Sequence, residues 1–274
     1  MPEGVSLVLG VDEAGQRVEM VLNGHSGLFV SGAPGSGKSA WLTAAIAGLS
    51  MYSDVQIVAI DGKHGHDLDA LAPRCIRYLA GPSGADPLTV LMTLRDVQEL
   101  MRRRLDNALE WFGDSNYWTS GPHLDHPLLV VLIDEAQTYL DLRSALDRAE
   151  KDLLGEITSV TMDLVKKGRS AGILVCLATQ KGTTDAIPSA IRDQCGLRVC
   201  FRVMTSEVAV AALGYLPTGS PSPVGEDTGI GIAVSPSLAG VRFRADFVPA
   251  EVISATLVGA SDLTCDPGFA EVLE

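Results

Sequence analysis

An α/β fold with a central, mainly parallel sheet flanked by helices is the class this sequence predicts, and three stretches carry the prediction. The first, Gly32-Ala33-Pro34-Gly35-Ser36-Gly37-Lys38-Ser39, matches G-x-x-x-x-G-K-[ST] at every fixed position. It lies between an apolar run at 28–31 and a helical pattern at 40–49, the context this loop requires. The second is the apolar run 128–133, which ends at the adjacent carboxylates Asp134 and Glu135. The third is the run 173–179, which ends at Gln180. Short apolar runs bounded by turn residues read as buried strands. The 274 residues, 46% of them hydrophobic, suffice for one large domain with a sizeable core.

The loop at residues 32–39 has a physical logic. A strand, a glycine turn and a helix start aim successive backbone N–H groups and the positive helix end at one point, where a polyphosphate sits. Lys38 reaches the β- and γ-phosphates, and Ser39 holds Mg2+. With glycine at roughly 7% of ordinary sequence, the pattern arises by accident in about one chain in a hundred of this size. In phosphate-loop hydrolases the first strand-end carboxylate anchors the Mg2+ shell and the next acts on the attacking water. Asp134 and Glu135 fit those two roles. Gln180, at the tip of a strand beside the carboxylate strand, is placed to sense the γ-phosphate. ATP and Mg2+ are therefore the expected ligands. Ordinary alternatives remain for each: a glycine-rich turn, an acidic helix start that suits the dipole, and a capping glutamine.

Taken in order, residues 6–9 and 17–22 read as strands joined by the turn Asp12-Glu13-Ala14-Gly15, so that 1–27 forms a hairpin entry segment. The main domain spans 28–258. Residues 55–60 form a buried strand ending at Asp61-Gly62-Lys63-His64, and 76–80 another. Asp86 and Pro87 supply an N-cap and a first-turn proline to a long helix. Its apolar positions Leu91, Leu94, Val97, Met101, Leu105, Leu109 and Phe112 recur at three- and four-residue steps. Arg102, Arg103 and Arg104 cannot share one face of that helix and read as solvated or structurally paired. His123 and His126, in a polar loop at 113–127, read as ordinary loop residues rather than metal ligands. A helical region at 141–167 stops at Gly168. Strands at 173–179 and 197–203, a short helix at 205–213, a breaker-rich loop at 216–223 and strands at 230–234 and 241–247 complete the domain. A loosely ordered tail occupies 259–274.

Composition removes several classes. A net charge of −13 argues against a broad basic surface that coats nucleic acid, though not against a ring with a small basic pore. From residue 204 onward nine Asp and Glu face two Arg. Five cysteines with no C-x-x-C pair suggest neither a disulfide framework nor a zinc site. No run is long enough to cross a bilayer and no charged-then-apolar leader opens the chain, so the expected location is cytoplasmic without direct membrane insertion.

Several stretches resemble the motor domain of the FtsK/SpoIIIE family of DNA translocases, in the family's order from about residue 7 to 253. Leu9-Gly10-x-Asp12-x-x-Gly15 is similar to the hairpin before the family's phosphate loop, and residues 33–39 to its G-S-G-K-S. Ile60-Asp61-Gly62-Lys63 resembles I-D-P-K, and residues 101–104 its E-M-x-x-R-Y. The tightest likeness is Gly168-Arg169-Ser170-Ala171-Gly172-Ile173 with Leu177-Ala178-Thr179-Gln180, which resembles G-R-[AS]-x-G-I-H…A-T-Q. Residues 198–203 and 247–252 are similar to its R-I-A-F-R-V and F-V-S-D-x-E-V stretches. Gly62 in place of proline, and Lys181-Gly182 in place of R-P, depart from the pattern.

This resemblance implies a RecA-like P-loop NTPase core in a homo-oligomeric, hexameric ring that moves double-stranded DNA by ATP hydrolysis. One subunit would give an arginine to its neighbour's nucleotide. Arg169 is the residue carried over to that role and Arg202 the weaker candidate; the plain alternative for Arg169 is a helix-end arginine bonded to its own carbonyls. With no anchor, linker or winged-helix module in view, the chain looks like a stripped motor of a mobile element or phage, recruited by a separate partner. Two other readings stay open: a ring ATPase of a protein secretion system, and a non-motor nucleotide-binding assembly subunit. A nucleotide kinase fits less well, since no arginine-rich lid follows the core.

Overall fold

Alternate residues of one apolar run serve two different cores. Leu128, Val130 and Leu132 pack into one hydrophobic layer, whereas Leu129, Val131 and Ile133 pack into the other. A strand covered on both faces has no solvent side to mark with polar residues, which is why the run shows no alternation. The computed structural model describes residues 4–63, 65–181, 186–214 and 219–269. Its strands are β1 (Ser6–Val11), β2 (Arg17–Val21), β3 (Gly27–Ser31), β4 (Val55–Asp61), β5 (Cys75–Leu79), β6 (Leu128–Asp134), β7 (Ile173–Thr179), β8 (Leu197–Phe201), β9 (Ile230–Ser235) and β10 (Leu238–Arg244). They form one sheet in the order β2-β1-β10-β9-β8-β3-β7-β6-β4-β5.

From β8 to β5 every neighbouring pair is parallel, and from β8 to β2 every pair is antiparallel. The expected α/β class with a mainly parallel sheet is therefore what forms. On one face lie α1 (Lys38–Ser50) and a later helix, α5 (Ala250–Val258); on the other lie α2 (Pro87–Asp106), α3 (Arg148–Lys167) and α4 (Ser206–Leu213). Register aligns the C-terminal strand ends: Ser31 pairs with Thr179 and Asp61 with Asp134. The residues that follow these ends share one edge of the sheet, where open α/β sheets bind ligands. Among the described residues no helix is long and apolar enough to cross a membrane.

Several boundaries differ from the sequence reading. The long helix stops at Asp106 and does not run on to Phe112; Asn107 turns the chain into a separate short helix, Ala108–Phe112. Asparagine competes with helix hydrogen bonding through its own amide, here donating to the Arg103 carbonyl. Leu109 is consequently 74% exposed and is no part of the apolar stripe, while Phe112 meets Tyr117 edge-on at 5.3 Å. Residues 141–147 are likewise not helical. Asp141 folds its carboxylate onto the Arg143 backbone N–H and guanidinium, and Asp147 caps α3 at the Glu150 N–H. The last strand ends at Arg244, with a register shift between Ala239 and Val241, leaving Phe247 exposed.

The tail from Gly259 is not loosely ordered as far as Phe269. The Gln56 amide donates to the Leu263 carbonyl and accepts from the Cys265 N–H. Arg74 donates to Thr264, Arg103 to the Gly268 carbonyl, and Arg77 stacks its charge over the Phe269 ring. Residues 270–274, part of the 216–223 loop, His64 and the departure at Gly182 lie outside the described residues. His123 and His126 pack ring against ring, and His126 also stacks on Trp111. Cys176, Cys195 and Cys200 are buried apolar fillers, and burial pushes the Cys200 thiol up to about 12.

Gly172, just before β7, has φ 66°, and a Cβ there would run into the Tyr117 ring. Gly172→Ala therefore combines left-handed backbone strain with a steric clash, and we expect a loss of about 2–3 kcal/mol in a denaturant melt. An unchanged midpoint would contradict this packing.

Candidate functional site

The phosphate loop connects β3 to α1, whose N-cap is Gly37 at φ 91°. The loop is braced from outside. The Ala33 N–H donates to the Arg202 carbonyl, the Gly229 N–H to the Ser36 carbonyl, and both Arg202 and Thr228 donate to the Gly35 carbonyl. These contacts leave the first-turn N–H groups of α1 aimed at the cleft, since helix starts lack internal acceptors. A cavity of about 260 Å³ is lined by residues 33–40, Lys63, Asp67 and Gln180.

Beneath it the Lys38 Nζ donates to Asp134 Oδ1 at 2.5 Å. Both side chains are almost wholly buried, so each compensates the other's desolvation. An ammonium has three donors, which leaves Lys38 capacity for a phosphate. Asp134 Oδ2 is buried and accepts no hydrogen bond among the described residues, and the Ser36 hydroxyl is in the same position. Mg2+ takes only one or two protein oxygens beside phosphate and water. The spare Asp134 oxygen and the half-buried Ser39 on the first turn of α1 fit that demand.

Glu135 has φ 48°, the one non-glycine residue at positive φ among those described. The left-handed region is costly for such a residue and is sustained only by surrounding contacts. Its N–H donates to Asp134 Oδ1. Its Oε2 accepts from the Gln180 backbone N–H at 2.9 Å and from Gln137 Nε2 at 2.8 Å. Gln180 reaches this place because β7 stands between β3 and β6, as a strand beside the carboxylate strand requires. Gly62, where the family pattern has proline, donates its N–H to the Asp134 carbonyl, a bond that proline could not make.

Two groups at this end of the sheet carry no role in the sequence reading. Lys63 donates to Asp67 at 2.8 Å. That bond, aided by the charges of Asp67, Asp134 and Glu135 and opposed by partial burial, holds its ammonium above the ordinary lysine value. Gln137 joins Glu135 to Thr179, whose hydroxyl donates to Gln137 Oε1 at 2.6 Å. The signal for Thr179 was present as a polar residue closing an otherwise apolar run. Nothing local marked Gln137.

Arg169 is not with these residues. It lies in the turn Gly168–Ala171 before β7, at the opposite end of the sheet from the phosphate loop. It is exposed, and no hydrogen bond or ion pair among the described residues holds its guanidinium. Its charge acts on His25, whose pKa is lowered first by burial and then by this arginine. Arg202, the weaker candidate for service to a neighbour, leans on its own phosphate loop instead.

Fold and site define a P-loop NTPase in which a strand separates the loop strand from the carboxylate strand. The profile of the FtsK/SpoIIIE family matches residues 3–117 of this chain. The DNA translocase FtsK of Oceanobacillus iheyensis is 29% identical over 245 residues, covering 78% of this chain and 29% of that protein. The chain spans under a third of the length of the curated relatives it matches. Among solved structures, the pCW3 conjugation coupling protein TcpA, in a monomer form with ATPγS, superposes with a TM-score of 0.73 at 18% identity, covering 100% of this chain and 71% of that one. The cytoplasmic domain of the type VII secretion ATPase EccC of Thermomonospora curvata gives 0.66 at 19%, covering 92% and 30%. At these identities the structures speak for the fold alone.

Proposed function

We propose that this chain is the ATP-hydrolysing motor of a homo-oligomeric, hexameric ring that moves double-stranded DNA. One observation carries the reading: Lys38, Asp134, Glu135 and Gln180 gather at one end of the sheet, while Arg169 stands exposed at the other. An arginine that cannot reach its own phosphate loop suits a nucleotide site shared between copies.

In this reading the amides of residues 32–39 and Lys38 hold the triphosphate. Ser39 and Asp134 are the Mg2+ residues, and the ion, when bound, neutralises phosphate charge. Glu135 polarises the attacking water, Gln180 senses the γ-phosphate, and a neighbour's Arg169 offsets charge on the transferred group. The motor works in the cytoplasm, recruited by a separate partner. The relatives named DNA translocases support DNA as the polymer. At a net charge of −13, contact with it is confined to a few pore residues.

Long linear duplex DNA should raise ATP turnover several-fold, and the stimulation should fade steeply with salt as counterion release weakens binding. A protein-exporting ring is favoured by one observation, the acidic surface, and would be indifferent to duplex. Turnover that ignores DNA at every salt concentration would reject the DNA motor.

A further inference from the structure

The carboxylate of Glu135 is tied to the sheet by a short polar chain. Gln137 Nε2 donates to Glu135 Oε2, Thr179 Oγ1 donates to Gln137 Oε1, and the Lys181 N–H donates to Thr179 Oγ1 at 3.0 Å. The Gln180 N–H occupies the same Glu135 oxygen. Thr179 is wholly buried, and of the two acceptors its hydroxyl can reach, Gln137 Oε1 at 2.6 Å is closer than the Lys181 carbonyl at 3.2 Å. Two donors on Oε2, one from the end of β7 and one from the helix after β6, restrict rotation of the carboxylate. The backbone alone would not hold it, because Glu135 sits at a φ that an unconstrained residue leaves.

We propose that Gln137 and Thr179 are positioning residues for Glu135: together they lock the general-base carboxylate to the end of β7 and so set its aim at the attacking water. The inference rests on Glu135 being that base. Gln137 lies on the short helix Gln137–Leu140 after β6, and Thr179 is the last residue of β7. The pair therefore bridges the carboxylate strand and the strand whose next residue is Gln180. A shift of β7 against β6 would reach the base through two hydrogen bonds. Misplacing a reacting group by a fraction of an ångström costs about tenfold in rate or more, without changing how tightly substrate binds.

The test is steady-state MgATP hydrolysis by the whole chain. Glu135→Gln should cut turnover to a small but still measurable residual rate; if turnover is unchanged, the reading of Glu135 itself falls. Gln137→Ala and Thr179→Val should each lower kcat about tenfold with KM for ATP within twofold of wild type. Thr179→Ser keeps the hydroxyl and should restore most of the rate. Thr179→Val is nearly isosteric, so the Val and Ser pair separates positioning from a folding defect. In the Glu135→Gln background, Gln137→Ala should cost nothing further, because a residue acting only through Glu135 has nothing left to position. Wild-type kcat in both single variants, equal rates for Thr179→Val and Thr179→Ser, or an additive double variant would each overturn the positioning role while leaving the base assignment intact.

Discussion

Arg169→Ala lowers ATP turnover by about 10³-fold or more while nucleotide affinity stays within a few-fold of wild type. The expectation follows from where the residue stands. It precedes β7, whereas the phosphate loop follows the adjacent parallel strand β3, so the two lie at opposite ends of these strands and Arg169 does not reach its own phosphate loop. With no partner among the described residues, it contributes little to the stability of its own fold. The decisive form of the experiment mixes two defective proteins. Arg169→Ala retains the base, and Glu135→Gln retains the arginine. In an equal, random mixture about a quarter of head-to-tail interfaces join an intact base to an intact arginine, and turnover should recover accordingly. A mixture no more active than its parts would remove Arg169 from a shared site.

Arg104→Leu should cost about 3–5 kcal/mol of stability, read as a fall in Tm of roughly 6–10 °C for a chain of this size. Arg104 is completely buried, and burial pushes its pKa down to about 10. Among the described residues no carboxylate accompanies it. Instead it donates to the Pro127 carbonyl at 3.0 Å and to the Ala171 and Gly172 carbonyls at 2.9 and 3.4 Å. Those carbonyls precede β6 and β7, so one guanidinium pins the entry points of the two strands that deliver Asp134, Glu135 and Gln180. Removing it relieves the desolvation of a charge but takes the guanidinium donor from the buried Pro127 and Ala171 carbonyls and leaves a cavity beside Tyr117, while the Gly172 carbonyl keeps the Leu129 N–H. The acceptors and the cavity together outweigh the relief. Arg104→Lys should rescue poorly, because a single ammonium cannot span both strand entries as a planar fork does. A melt unchanged in Arg104→Leu would show that the strands hold their register without it.

Much of this architecture was legible because its signals are local. The phosphate loop declares itself through glycine spacing and one lysine. The strands β6 and β7 declare themselves through uninterrupted apolar runs, and α2 through an aspartate cap and a proline. Even the shortfalls had local causes, as at Asn107 and Asp141, where short polar side chains bond to their own backbone and end a helix that apolar periodicity would prolong. The Arg102-Arg103-Arg104 run shows the limit: spacing says that the three face different ways, yet only the packed structure says which one is buried.

By itself the sequence determined that a phosphate cradle, a carboxylate pair and a polar strand tip belong to one α/β domain, since each is written within a few neighbouring residues. The tertiary structure alone decided that Gln137, which donates to the Glu135 carboxylate, is itself bonded to Thr179, 42 positions away. It likewise decided that Arg104 fastens strand entries up to 68 positions away and that Gln56 clasps the tail 209 positions on. The physical reason is that apolar burial follows the period of a strand or helix, whereas a buried polar group takes its partner from whichever strand the sheet order sets beside it.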